Sequence, residues 1–149
     1  MPIPALTKTG YLPAGVHLCD FNEIGTSFAH SEHRLKLLHK LREFLTFLEE
    51  KGLCLPYYVD GSYSTDKPFP RDIDLVLDCS AATGDQMRTA FALMRSRDEI
   101  KAEFDVDYWV YFPDAPSDLR AFFQYVRVDE LQAKRMSTGS RKGILRVNR

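Results

Sequence analysis

The chain has 149 residues, of which 44% are hydrophobic and 28% are charged, and its formal net charge is −1. This is an ordinary globular balance, and the length is enough for one domain with a real core. A net charge near zero gives no overall attraction to nucleic acid or to an anionic membrane. No apolar stretch approaches membrane-spanning length, and the first residues lack the basic and apolar regions of a secretion signal. We therefore expect no membrane partner and a cytoplasmic protein.

Cysteine usage supports the same location. The three cysteines, Cys19, Cys54 and Cys79, are odd in number and too far apart in sequence for a metal-binding pair. We interpret them as reduced packing residues, as in proteins of a reducing compartment.

Residues 1–30 carry prolines and glycines among scattered apolar groups, and this composition predicts an irregular N-terminal arm. Apolar residues such as Tyr11, Leu12, Val16 and Leu18 indicate that the arm is docked on the domain. We treat residues 1–149 as a single domain of which this arm is one part.

The strongest helix signal follows the arm. Ser31 is a good N-cap, and Gly52 is a good residue for the position just after the helix. One face between them is apolar, although Arg34 occupies a position that a longer apolar stripe would use. The stripe comprises Leu37, Leu38, Leu41, Phe44, Leu45 and Leu48.

Strands and helices then interleave along the chain. The predicted elements are strands at 53–60 and 72–78, a helix at 84–97, a strand at 103–112, a helix from Ser117 that ends at either Val126 or Leu131, and a short strand at 143–147. Such an order predicts an α/β (α+β) fold, with a small mixed sheet flanked by helices. Residues 134–149 form a basic C-terminal segment, which is either solvated or a patch for polyphosphate or an acidic partner.

The most informative motif lies between the first two strands. Gly61-Ser62 is separated by nine residues from Asp72-Ile73-Asp74, and apolar runs flank both ends. Residues i and i+2 of a strand point the same way, so Asp72 and Asp74 aim at one spot. Magnesium prefers such oxygen ligands and relieves the repulsion between two carboxylates. A small residue followed by a hydroxyl residue lets backbone amides approach phosphates.

A third carboxylate lies on the strand predicted at 103–112. Phe104, Val106, Tyr108, Val110 and Phe112 share one face, and Asp105, Asp107, Trp109 and Tyr111 share the other. Either Asp107 or Asp105 can complete a metal site and help to deprotonate a nucleophile. We favour Asp107 because it lies deeper in the apolar run.

These residues together resemble the polymerase-β-like nucleotidyltransferase superfamily, especially its minimal members. The resemblance covers residues 31–112 and is carried by Gly61-Ser62, Asp72-Ile73-Asp74 and the later Val106-Asp107-Tyr108. Residues 12–17 and 142–144 also look like a poorly characterised bacterial branch of this fold.

The resemblance implies a nucleoside triphosphate (NTP) substrate and Mg²⁺ or Mn²⁺ as cofactor. By that match Asp72, Asp74 and Asp107 are the metal-binding and catalytic residues, and Gly61 and Ser62 form the phosphate-binding turn. From the residues themselves, Lys67 and Arg71 are either phosphate-neutralising groups or solvated loop charges. The loop departs from the minimal members because two prolines and Phe69 crowd it.

Two functions remain open at this stage. The first is transfer of a nucleoside monophosphate to a hydroxyl of a protein, an RNA end or a small molecule, with a protein partner supplying part of the site. The second is an inactive binding module of the same fold, such as an antitoxin-like or regulatory partner protein, which the crowded loop favours slightly.

Overall fold

The computed structural model describes residues 3–114, 124, 126–137 and 139–149. Within them the chain forms a five-stranded mixed sheet and five helices, so the predicted α/β class is confirmed. In chain order the elements are β1 (Val16–Cys19), α1 (Phe21–Phe28), α2 (Glu32–Glu50), β2 (Tyr57–Asp60), a 3-10 turn (Ser62–Ser64), β3 (Ile73–Asp78), α3 (Gly84–Met94), α4 (Arg97–Phe104), β4 (Val106–Tyr111), α5 (Val128–Ala133) and β5 (Ile144–Val147).

The sheet has the strand order β1-β5-β2-β3-β4. β1 runs parallel to β5, and β3 runs parallel to β4, while β2 is antiparallel to both β5 and β3. The three central strands are buried almost throughout, as expected of strands covered on both faces. β2, β3 and β4 therefore bring residues from distant parts of the sequence side by side.

Helix α2 supplies the main core contact, and its sequence prediction is confirmed. The Ser31 hydroxyl accepts a hydrogen bond from the Arg34 amide, and Gly52 has a φ of +78° just after the helix. The leucine stripe is buried along the helix. Phe44 packs against Phe104 and Tyr108, with ring centroids 5.3 and 5.7 Å away, so the helix lies over β4 and the end of α4.

The N-terminal arm is more regular than its composition predicted, because it contains β1 and α1. Tyr11 and Leu12 are buried, as expected of a docked segment. Val16 and Leu18, in contrast, are 45% and 52% exposed, since β1 is an edge strand. A short strand needs a hydrogen-bonding partner, and β1 finds one in β5, which comes from the other end of the chain.

Residues 84–104 form two helices where the sequence predicted one helix and the start of a strand. Thr83 caps α3 through a capping box with Gln86, and the helix ends at Met94. α4 then continues to Phe104, so the next strand begins at Val106 and not at 103. Within β4 the predicted alternation is confirmed, since its even-numbered residues are buried and its odd-numbered residues are half-buried.

The helix predicted from Ser117 to Val126 lies largely outside the described residues. The described part of the chain has a short helix, α5, at Val128–Ala133. The final strand is confirmed at Ile144–Val147. All three cysteines are free thiols. None of the described helices is long and apolar enough to cross a membrane.

Candidate functional site

Three carboxylates form a row across the sheet. Asp60 is opposite Asp74 in the antiparallel β2–β3 pair, and Asp74 is in register with Asp107 in the parallel β3–β4 pair. Adjacent strands lie about 4.8 Å apart, so residues in register on one face are direct neighbours. The sheet therefore brings Asp74 and Asp107 together, as the sequence predicted, and adds Asp60.

Asp74 is the electrostatic centre of this row. Burial raises the pKa of its carboxyl to about 8, and the negative charges of Asp72, Asp60 and Asp107 add to the rise. The positive charge of Lys142 lowers the same pKa in part. Because strongly shifted groups gather at functional sites, this carboxyl is the clearest single indication of one in the chain.

Asp60 is the last residue of β2 and is not among the site residues that the sequence predicted. Its side chain is 1% exposed, and neither carboxylate oxygen has a hydrogen-bond partner among the described residues. Burial raises its pKa to about 6, although Lys142 and the nearby backbone amide of Gly61 lower it in part. A carboxyl buried with so little polar compensation is costly to the fold, so its position in the row points to a role beyond stability.

Two basic side chains of helix α4 form ion pairs with Asp107 and with Asp72, which precedes β3. Arg97 Nη2 lies 2.7 Å from Asp107 Oδ1, and Lys101 Nζ lies 3.2 Å from Asp72 Oδ2. The two cations are four residues apart and therefore share one face of the helix. Arg97 also donates to the Tyr108 carbonyl at 2.9 Å and stacks 3.8 Å from the Trp109 ring.

Asp105 lies apart from the row and serves the fold. It ends α4 in the left-handed region, with a φ of 51°, and Lys40 of α2 pairs with its carboxylate at 2.8 Å. Its backbone carbonyl accepts the Ile73 amide, which positions the start of β3. Of the two candidates for the third carboxylate, Asp107 is the one in register with Asp74.

The Gly61-Ser62 turn lies directly against Asp74. Gly61 has a φ of +81°, a conformation that favours glycine. A Cβ on this residue would lie 2.2 Å from Asp74 Oδ2. The absence of a side chain therefore serves both the turn and the approach of the carboxylate, which packs directly against the buried Gly61 backbone.

Arg34 holds the loop after this turn, and this role has no signal in the sequence beyond a break in the apolar stripe. The side chain is fully buried and donates to the carbonyls of Phe28, Tyr63, Thr65 and Lys67 at 2.7–3.3 Å. The Tyr63 hydroxyl donates back to the Arg34 carbonyl at 3.1 Å. Several carbonyls satisfied by one guanidinium fix the shape of residues 63–67.

The rest of the loop is held at its far end and exposed between. A ring nitrogen of His33 lies 2.5 Å from the Pro70 carbonyl oxygen, and its ring meets Phe69 edge to face. Phe69 is nevertheless 71% exposed, so it crowds the loop less than its size predicts. Lys67 and Arg71 are also exposed, and Lys67 lines a cavity together with Ser62.

The donor chemistry fits a divalent cation, but the present arrangement is not a ready-made metal site. Among the described residues, no three Asp, Glu, His or Cys side chains are grouped closely enough to hold one. Asp72 and Asp107 form ion pairs with α4, whereas the buried Asp60 and the half-buried Asp74 have no such ion pair among the described residues. A cation at Asp74 would relieve the like-charge repulsion there, provided that Lys101 and Arg97 release their partners.

Comparison with known families places the chain. The sequence profile of a family of unknown function (DUF6932) matches residues 4–148, so the chain belongs to that family. No curated protein matches the chain, and no solved structure does.

Proposed function

We propose that this member of the DUF6932 family is a metal-dependent nucleotidyltransferase. It transfers a nucleoside monophosphate from an NTP to a hydroxyl acceptor. The observation that carries the proposal is the register of Asp74 with Asp107, beside the Gly61 turn against which the Asp74 carboxylate packs. This arrangement supports the resemblance to the polymerase-β-like nucleotidyltransferase superfamily that the motif indicates.

In the proposed reaction the acceptor hydroxyl oxygen attacks the α-phosphorus of the NTP. The bond from that phosphorus to the bridging oxygen breaks, and pyrophosphate leaves with the electron pair. Asp107 accepts the proton of the hydroxyl after Arg97, which now neutralises it, has moved away. The amides of the Gly61-Ser62 turn and the Ser62 hydroxyl hold phosphate oxygens.

Asp72, Asp74 and Asp107 would hold Mg²⁺ or Mn²⁺, which would supply positive charge to stabilise the transition state. Asp74 suits this role because its half-buried carboxyl lies among three others. Asp60 supports Asp74 from the neighbouring strand and adds negative potential at the same point. The acceptor is a protein, an RNA end or a small molecule, and the assay below therefore offers all three classes.

Incorporation of label tests the proposal directly. The purified chain is incubated with each α-³²P-labelled NTP, Mg²⁺ or Mn²⁺, and protein, RNA and small-molecule fractions as acceptors. We expect metal-dependent labelling of one acceptor class together with release of pyrophosphate. The variants Asp72→Asn and Asp74→Asn should lose this labelling by a factor of about 100 or more, the order expected when charge stabilisation is removed.

Asp85→Asn is the matched control, because Asp85 is exposed on α3 and pairs with the nearby Arg88. It should transfer label as the wild type does. Labelling that is absent from the wild type with every NTP and acceptor class, or that survives in Asp74→Asn, would refute the proposed reaction.

A second function, a binding module without turnover, has a specific observation in its favour. Two of the three carboxylates proposed to hold the metal already form ion pairs, Asp107 with Arg97 and Asp72 with Lys101. An antitoxin-like or regulatory partner protein could keep them permanently. Nucleotide binding without any label transfer, unchanged by substitution of Asp107, would favour this alternative.

A further inference from the structure

A cavity of about 270 Å³ lies beside the Gly61-Ser62 turn, and three distant segments build it. Tyr11 comes from the N-terminal arm, Ser62 and Lys67 from the loop, and Lys134 and Lys142 from the C-terminal segment. Pockets for whole drug-sized ligands begin near ~300 Å³. The cavity is therefore suited to part of a ligand, such as a phosphate chain.

Backbone contacts fix these segments against one another. Tyr11 forms an isolated antiparallel bridge with Thr65, and the Asp66 amide donates to the Gly10 carbonyl at 3.0 Å. The Gly143 amide donates to the Leu12 carbonyl at 3.0 Å, which sets the position of Lys142. The cavity is thus a feature of the fold and does not depend on a single side-chain rotamer.

The Tyr11 ring lies near the ammonium groups of two of the lysines. Lys134 Nζ lies 4.2 Å from the centre of the Tyr11 ring, and Lys142 Nζ lies 5.9 Å from it. The Tyr11 hydroxyl donates to a Glu130 carboxylate oxygen at 2.5 Å, which holds the ring in place. An aromatic ring attracts cations but, unlike a carboxylate, does not neutralise their charge.

The charge around the cavity favours an anion. Three lysines line it against two carboxylates, Asp66 and Glu130, so its lining has a formal net charge of +1. Glu130 accepts the Tyr11 hydroxyl, and Asp66 lies 3.8 Å from Lys134. Among the described residues, Lys67 and Lys142 have no carboxylate within salt-bridge distance. An anion that enters would therefore meet two ammonium groups that are not in an ion pair and the Ser62 hydroxyl.

Lys142 also connects the cavity to the carboxylate row. It lines the cavity, and its positive charge acts on both Asp60 and Asp74. A chain of phosphates that starts at Asp74 can pass the Gly61-Ser62 turn and end among these lysines. We propose that Ser62, Lys67, Lys134 and Lys142 form a subsite for the terminal phosphates of the substrate. This assignment deepens the proposed function and rests on it for the identity of the substrate, but binding of a bare polyphosphate tests it separately.

The test measures binding without metal. Inorganic tripolyphosphate is titrated into the full chain in EDTA by calorimetry, at low and high salt. Lys142→Gln should weaken binding about tenfold, the size expected from one lost charge-assisted contact, whereas Lys142→Arg should keep most of it. Lys36→Gln is the matched control, because Lys36 is exposed on α2 and pairs with Glu32. Added salt should weaken wild-type binding.

Lys67→Gln gives a second variant if Lys142→Gln fails to fold, since Lys67 is exposed on the loop. Equal affinities of the two lysine variants and the Lys36→Gln control would overturn the subsite, and so would a wild type that does not bind tripolyphosphate. ATP that binds as tripolyphosphate does, and more tightly than AMP, supports the phosphate tail of a nucleotide as the ligand. Tripolyphosphate that binds when ATP does not would overturn that assignment and indicate a free polyphosphate.

The two proposals can fail independently. A wild type that binds tripolyphosphate through Lys142 but never transfers label keeps the phosphate subsite and refutes the transferase. Label transfer that is lost in Asp74→Asn but unchanged in Lys142→Gln, with equal KM for the NTP, refutes the subsite and keeps the transferase.

Discussion

Asp60 lies directly opposite Asp74 across the antiparallel β2–β3 pair, and partial or full burial raises the pKa of both carboxyls. Like charges opposite each other in a sheet destabilise it, and burial increases that cost. The fold therefore keeps an unfavourable pair at the point where the Gly61 turn approaches. Such a conflict between stability and local chemistry is typical of sites that bind a ligand.

This relationship predicts a pH-dependent stability. The folded-state pKa of Asp74 is about 8 and its ordinary value is 3.8, so the folded chain binds an extra proton between these values. Stability should consequently fall as pH rises from about 4 to about 8. Asp74→Asn removes the charge, and we expect it to stabilise the chain by about 1–3 kcal/mol at pH 8.5 and far less at pH 5. Urea unfolding in EDTA at the two pH values measures the difference.

Asp85→Asn provides the comparison for Asp74→Asn, because the same chemical change is made at an exposed position. It should change the free energy of unfolding by less than about 0.5 kcal/mol at either pH. If Asp74→Asn gave the same change at pH 5 as at pH 8.5, the charge on Asp74 would not be the source of the instability.

Asp60 shows where sequence reasoning stopped. The motif and the alternation of β4 predicted which strand faces carry Asp74 and Asp107, and the resemblance assigned the two residues to one site. The register that makes Asp107 and Asp60 neighbours of Asp74 is a property of strand pairing, which one-strand patterns do not encode. Aspartate is also common in turns, so the sequence did not single out Asp60 before Gly61.

Gly61 offers a second test, because the chain supplies a matched glycine. Gly61 and Gly52 have φ values of +81° and +78°, but a Cβ on Gly52 would meet no atom within 4 Å. Gly52→Ala should therefore cost only the backbone strain, about 1 kcal/mol. Gly61→Ala should cost more, and it should reduce label transfer at least tenfold because it displaces the Asp74 carboxylate. Thermal unfolding and the labelling assay measure the two effects.

Comparable label transfer by the Gly61→Ala and Gly52→Ala variants would contradict this argument. The close approach of Gly61 to Asp74 would then have no part in the reaction, and only the turn conformation would explain the glycine.

Arg34 carries a third prediction. Its guanidinium satisfies carbonyls of Phe28, Tyr63, Thr65 and Lys67, so Arg34→Met would leave them buried without donors. We expect a loss of about 3 kcal/mol or more in the free energy of unfolding. Arg34→Lys should recover only part of this, since one ammonium cannot reach the same set of carbonyls. Urea unfolding measures both variants.

Lys36→Met is the control for this series, because Lys36 is on the exposed face of the same helix. Its effect should stay within about 0.5 kcal/mol. A loss in Arg34→Met no larger than in the control would show that the loop holds its shape without the guanidinium.

The helices show the same division between local and distant information. The leucine stripe, Ser31 and Gly52 lie within one segment, and they predicted α2 correctly. The role of Arg34 depends on carbonyls 29 to 33 residues later, so the sequence showed only an interruption. α4 was missed because charged residues such as Asp98, Glu99 and Lys101 weaken its apolar stripe, and Asp105 ends it where glycine is usual.

Arg97 carries the last prediction, which concerns competition for Asp107. The guanidinium lies 2.7 Å from the carboxylate that the proposed function assigns to the metal. Arg97→Gln should remove this competitor and tighten the apparent affinity for Mn²⁺ a few-fold, measured by calorimetry or by the rise in melting temperature with added metal. The ion pair is partly exposed, so the metal-free chain should lose only about 1 kcal/mol of stability. Arg95→Gln, just outside α4, is the control. Metal affinity that is unchanged or weaker in Arg97→Gln would mean that the guanidinium does not compete with the metal and that Asp107 is not a ligand, which would favour the binding module over the enzyme.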